Sequence, residues 1–333
     1  MVRDVAAHGS LRFSDNGLEV RELLSVNTVL TEPRARLMRS SSHPHVFNPG
    51  LAVARFFYLL SGSHDLDAIA FYSPAAARFT DDGLTMPGGA HGFRLFYPGS
   101  STDQFEGVLN ALNDHPERNR AVVSFYHPQD CGSATADLTC VMGAMFSCKE
   151  GRLEILVNMR ANDAFRLLWH DMFEFSMLGE YIARLCGFEL GAYYHSSFVM
   201  MLIGRSAYEA VEELTGETDE APLMAPMPRV TTASRAQLVR IERRIRSLVG
   251  HQPFGEFTTL LKTLAQEVEP YWADLFTSVS VQGRMVRQDP ATAAWELSQL
   301  AVPDGYVVSR ETIQNSLKIA RHRAAGPLIS RPQ

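Results

Sequence analysis

Two periodicities run through the first two-thirds of the chain. Apolar residues at helical spacing fill LAVARFFYLLSG, opened by Asn48-Pro49-Gly50 and stopped by Gly62. DQFEGVLNALND at 103–114 is amphipathic, and MFEFSMLGEYIARLC at 172–186 is a long apolar helix ending near Gly187. Between and around them lie extended runs. Residues 10–38 predict a strand or hairpin, RAVVSFYHP a strand, and TCVMGAMFSCKEGRLEILVNMR a hairpin turning at Lys149-Glu150-Gly151. ELGAYYHSSFVMML predicts one more strand and YEAVEELTG a short helix. Residues 73–101 and 129–137, rich in Gly, Pro, Ser and Asp, are expected to be loops.

The pattern changes after Gly216. Residues 222–232 are punctuated by proline and are expected to be a linker. Beyond them the periodicity is helical only: 234–250, 254–276 and two short helices near 290–300 and 310–322. The expected organisation is an α+β domain over 1–221, a linker over 222–232 and a helical extension over 233–333.

Composition narrows the function. The 333 residues are 46% hydrophobic and 20% charged, the balance of a chain with a substantial core. A net charge of −6 argues against coating a nucleic-acid polymer. Four cysteines make no disulfide framework and point to a reducing compartment. No apolar run suggests a membrane span or signal core, so the expectation is a cytoplasmic protein with no membrane partner. The 28 arginines against 3 lysines reflect a GC-rich genome.

An ordered set of motifs then carries a resemblance. From DQFEGVLNALND through RAVVSFYHP, LTCVMGAMFSC, MRAND and CGFELG, the chain is similar to the folate-dependent thymidylate synthases and their nucleotide hydroxymethylase branch. Cys140 to Gly191 matches without a gap. The resemblance implies a mixed sheet flanked by helices, a homodimer, a pyrimidine nucleotide monophosphate as substrate and 5,10-methylenetetrahydrofolate as cofactor. It brings no metal. The helical part after 232 has no counterpart in it.

The resemblance also implies residue roles. Cys140 matches the nucleophile that adds to C6 of the pyrimidine; read alone, it is a small apolar residue on a strand. Arg160 matches a phosphate arginine that also favours the thiolate, Arg120 one donated by the partner subunit, and Arg21 a third. Asp163 matches the aspartate that holds the pterin ring; read without the resemblance, Asn162 or Asp163 caps the following turn. Asp171 stands where the synthases carry asparagine and the cytidylate hydroxymethylases aspartate. A carboxylate accepts from a cytosine amine and repels uracil O4.

Several family residues are replaced. The catalytic glutamate falls at Arg55, the substrate-loop tyrosine at His91, a phosphate arginine at Asn119, and the serine after Arg160 at Ala161. The sugar-binding histidine and tyrosine fall at Met201 and Ile203, and the proline before the nucleophile at Thr139. Arg55 in an apolar helix needs an anion, with Asp171 or Cys140 as the choices. Asp171 and His91 are the substitutes expected for the missing acid–base group. The expected activity is one-carbon transfer to C5, as hydroxymethylation of CMP or dCMP. Such enzymes serve phage DNA modification and nucleoside-antibiotic pathways. The alternatives are an impaired binding partner of the same fold and C5-type chemistry on another heteroaromatic ring.

Overall fold

The computed structural model describes residues 1–14, 16–39, 43, 46–96, 103–204, 221–249, 252–288 and 290–324. A short helix α1 (Val2–His8) leads into the hairpin β1 (Ser10–Phe13) and β2 (Glu19–Leu30). Helices α2 (Pro49–Ser61), α3 (Leu66–Ala70), α4 (His91–Phe96) and α5 (Gln104–Asp114) precede β3 (Ala121–Ser124). Then come β4 (Val141–Lys149), β5 (Arg152–Asp163), the crossover helix α6 (Leu168–Cys186) and β6 (Glu189–Ile203). Five helices finish the chain: α7 (Thr232–Val249), α8 (Phe254–Glu267), α9 (Pro270–Arg287), α10 (Pro290–Ser298) and α11 (Val307–Ala324).

The strands form one six-stranded sheet in the order β1-β2-β6-β5-β4-β3. Every pairing is antiparallel except β5–β6, which is parallel. Parallel neighbours need a crossover, and α6 supplies it, packing on β5 and β6. The β4–β5 hairpin turns on Glu150 and Gly151, both with positive φ (51° and 77°), as the twist of a two-residue turn demands.

The architecture is the expected α+β mixed sheet flanked by helices. Helix α6 is buried on all sides, and α2 lies between it and the C-terminal helices α7, α9 and α11. The α2 start is held by Asn48, whose side chain accepts from Leu51 N and donates to Gln282 Oε1 at 3.0 Å. Phe57 stacks on Phe276 with ring centroids 4.8 Å apart. Helices α2, α6, α7 and α9 share one hydrophobic cluster with the sheet. Residues 222–232 run against this body: Met224, Met227 and Val230 are buried, and Met227 N donates to Glu180 at 2.8 Å.

Three expectations of element boundaries are corrected. Helix α6 begins at Leu168, not at 172. The helix read over 254–276 is two, because Val268 and Glu269 are extended ahead of Pro270, whose ring disfavours helical backbone in the residue before it. The loop read over 73–101 contains a 3₁₀ turn (Pro74–Arg78) and α4. The helix expected at YEAVEELTG lies outside the described residues. Among the described residues no helix is long and apolar enough to cross a membrane.

Candidate active site

Register alone gathers four of the expected residues at one end of the sheet. Val141 faces Met159 across β4–β5, Asp163 faces Met201 across β5–β6, and Arg21 faces Leu202 across β6–β2. Cys140, Arg160, Asp163 and Arg21 therefore emerge together. Arg120 does not join them. Ala121 faces Phe146, six residues along β4 from Cys140 and so roughly 20 Å away along the strand.

Cys140 sits just before β4, half-buried, and its carbonyl accepts from Arg160 N at 2.8 Å. The Arg160 guanidinium folds over the same segment, donating from Nε to Thr139 O (2.8 Å) and from Nη2 to Leu138 O (3.2 Å). These two bonds fix the arginine beside the cysteine. Burial pushes the Cys140 thiol above its ordinary value, Arg160 pulls it down, and the Asp171 carboxylate pushes it up again; the net direction is upward. Arg160 alone does not make Cys140 a thiolate.

Asp163 closes the turn into α6. Its Oδ1 accepts from Phe165 N at 2.8 Å and Arg166 N at 2.9 Å, the capping bonds read from sequence. Among the described residues Oδ2 carries no hydrogen bond and remains an acceptor.

The first turns of α6 bring Asp171 and Glu174 onto one face, toward α2, because residues three apart on a helix are neighbours. Arg55 on α2 lies between them. It donates from Nη2 to Asp171 Oδ1 at 2.5 Å and from Nε to Glu174 Oε2 at 2.8 Å. Arg55 thus has its anions, and Cys140 is not among its hydrogen-bond partners. The other Glu174 oxygen lies 2.8 Å from His91 Nδ1. Burial opposes the charge on Glu174, but Arg55 and His91 outweigh it and hold the carboxyl below its ordinary range.

His91 reaches this cluster through two tight contacts. A Cβ on Gly92 would stand 1.8 Å from Leu59 O, so only glycine lets α4 lie this close to α2. Asp137 accepts from Gly88 N and Gly89 N at 2.5 and 2.8 Å, fixing the approach to α4.

The network continues across the sheet end. Asn162 Nδ2 donates to Asp171 Oδ2 at 3.1 Å and lies 3.1 Å from His195 Nε2. Burial pushes the His195 pKa down to about 4, so its ring is neutral at pH 7. A neutral ring accepting at Nε2 carries its proton on Nδ1, which faces Tyr193 Oη at 2.9 Å. Asn162 Oδ1 is buried and has no partner.

Two residues of this network, Glu174 and His195, were not singled out from sequence. Glu174 had a signal, since an acidic residue three after Asp171 in an otherwise apolar helix needs a buried cation. His195 sits in an ordinary strand pattern and gave none. Asn162 was read only as a possible cap; Asp163 takes that role, and Asn162 joins Asp171 to His195 instead.

The sequence that builds this site also has counterparts among known proteins. A thymidylate synthase family model matches residues 65–242. The chain belongs to the thymidylate synthase family. It is 31% identical over 194 residues to a deoxyuridylate hydroxymethyltransferase of Pseudomonas phage M6, covering 56% of this chain and 52% of that protein. It is 31% identical over 111 residues to a thymidylate synthase of Bacillus phage phi3T, and 30% identical over 111 residues to thymidylate synthase 1 of Bacillus subtilis (strain 168). Each of these matches covers 32% of this chain and 39% of the synthase. The chain thus spans about half the length of the phage hydroxymethyltransferase and two-fifths of these synthases. Within this thymidylate synthase frame Arg55 lies outside the matched segment, while Cys140, Arg160, Asp163, Asp171 and Glu174 lie inside it.

Proposed function

We propose that this protein transfers a one-carbon unit from 5,10-methylenetetrahydrofolate to C5 of a pyrimidine nucleotide, and that it hydroxymethylates CMP or dCMP. The observation that carries the reading is the convergence of Cys140, Arg160 and Asp171 at one sheet end, with an acidic group where the ring edge would be read. Cys140 Sγ adds to C6, which makes C5 the nucleophile toward the one-carbon unit; loss of the C5 proton and of tetrahydrofolate would leave an exocyclic methylene, to which water adds as the thiolate is expelled and the C5–C6 double bond reforms. Arg160 binds the phosphate, whose charge its planar fork matches, with Arg21 beside it at the same sheet end. The open acceptor on Asp163 Oδ2 fits a pterin N–H, and the folate held there supplies the one-carbon unit. Glu174 and His91 are the proton-handling groups within the cluster, in place of the carboxylate lost at Arg55.

Tritium at C5 tests this directly, because adduct formation and loss of the C5 proton release label into water. Release is expected from CMP or dCMP and only weakly from UMP or dUMP. Asp171→Asn should shift relative specificity toward uracil by about 2–4 kcal/mol, roughly 30- to 1,000-fold. Label released from uracil nucleotides alone would move the substrate to that of the phage M6 relative. No release from either base would favour the impaired binding partner, for which the raised Cys140 thiol is the supporting observation.

We further propose a homodimer joined through the sheet. Helices cover one face; the other exposes Leu24 (60%) and Phe198 (66%) on β2 and β6, and Met145 (46%) and Val122 (48%) on β4 and β3, two apolar groups on either side of β5. Arg120, remote from its own Cys140, is then available to the site of the partner. Sedimentation at micromolar concentration should show a dimer. A monomer would remove Arg120 from the site.

A further inference from the structure

Arg55 is pinned by two of its three nitrogens. Nη2 donates to Asp171 and Nε to Glu174, and Glu174 is itself braced by His91. Among the described residues the remaining nitrogen, Nη1, makes no hydrogen bond, and it is not one of the buried polar atoms left without a partner, so it keeps some exposure. The side chain as a whole is 19% exposed. Asp171 and Arg55 therefore present an acceptor and a donor side by side, locked by a bond between them.

The acceptor stands on the Asp171 side, whose Oδ2 is steadied by Asn162 Nδ2 at 3.1 Å. The donor stands on the Arg55 side. An amine next to a ring nitrogen with a lone pair matches this order, and a carbonyl next to a ring N–H would have to take the pair in reverse, with its oxygen at Arg55.

Resting on the cytidylate reading above, we propose that Arg55 is a specificity-determining residue that donates through Nη1 to N3 of the cytosine ring while Asp171 accepts from the 4-amino group. A carboxylate alone leaves N3 unread. The arginine supplies the missing donor and holds the carboxylate in the orientation the amine needs. Besides the proton handling proposed above, Glu174 and His91 position Arg55 toward the base, Glu174 by holding its Nε and His91 by bracing Glu174.

The test deletes the acceptor from the ligand rather than the donor from the protein. Binding of CMP and of 3-deazacytidine monophosphate, which carries C–H in place of N3, is measured by titration calorimetry on the full chain. The wild type should bind CMP roughly 10- to 100-fold more tightly than the 3-deaza analogue. In the charge-balanced double variant Arg55→Met/Glu174→Gln the gap should fall below about 3-fold, since the donor is gone. Arg55→Lys, which keeps the charge but loses the fork, should narrow the gap as well and serves in its place if circular dichroism shows the double variant unfolded. Equal affinities for the two ligands in the wild type, with CMP still bound, would overturn the role of Arg55 alone. A gap of the same size in wild type and variants would also overturn it, by assigning N3 to another donor. Binding of UMP without CMP would overturn the cytidylate reading beneath it.

Discussion

Cys140→Ala should lower C5 tritium release by roughly 10⁴-fold or more, because removing a nucleophile removes the covalent path rather than weakening one contact. The fold should survive. Cys140 is half-buried at a strand start, its carbonyl bond to Arg160 N is main chain, and alanine keeps that backbone. Circular dichroism and thermal unfolding should match the wild type within about 1 kcal/mol. The thiol itself can be followed by iodoacetamide. Burial and Asp171 raise it against the pull of Arg160, so alkylation at neutral pH should be slow and accelerate above the ordinary thiol range. Addition of CMP should protect it. Turnover undiminished in the alanine variant would eliminate the covalent mechanism.

Glu180→Ala should produce the largest loss of stability. Glu180 and Arg36 form an ion pair with both side chains wholly buried, and the other Glu180 oxygen accepts from Met227 N at 2.8 Å. Alanine strands a buried guanidinium and a buried N–H together. Breaking one side of a buried pair costs about 3–5 kcal/mol. Guanidinium unfolding with an unchanged slope should report that loss. Replacing both partners, Arg36→Met with Glu180→Leu, should recover most of it, since no charge is then left unpaired. A loss below about 1 kcal/mol for the single variant would show that Arg36 finds another anion. Because the Glu180–Met227 bond ties residues 222–232 to α6, the alanine variant should also be cut there more readily by protease.

The carboxylates of the candidate site and of this ion pair share one helix. Asp171, Glu174 and Glu180 all lie on α6, buried on every side, and each is held by an arginine or an asparagine from another element. The Asp171–Glu174 end takes its cation from α2, and the Glu180 end takes its own from the segment before α2. This division lets the site carry two carboxylates without destabilising the helix that presents them.

Local sequence determined most of the frame. Alternation in 141–163 and 189–203 and the positive-φ turn at Glu150-Gly151 specify the hairpin and the strand that follows, because strand burial has a period of two and that turn needs those residues. The family resemblance pointed to Cys140, Arg160, Asp163 and Asp171 together, and a hairpin and one turn connect them within 32 positions. Tertiary structure decided the rest. That Arg55 answers Asp171 and Glu174, that His91 braces Glu174, and that Arg120 stands about 20 Å from its own Cys140 all depend on packing between elements distant in sequence. Charge pairing in a core is a three-dimensional condition: the sequence shows that a buried charge needs a partner, and only the packed helices show which one it has.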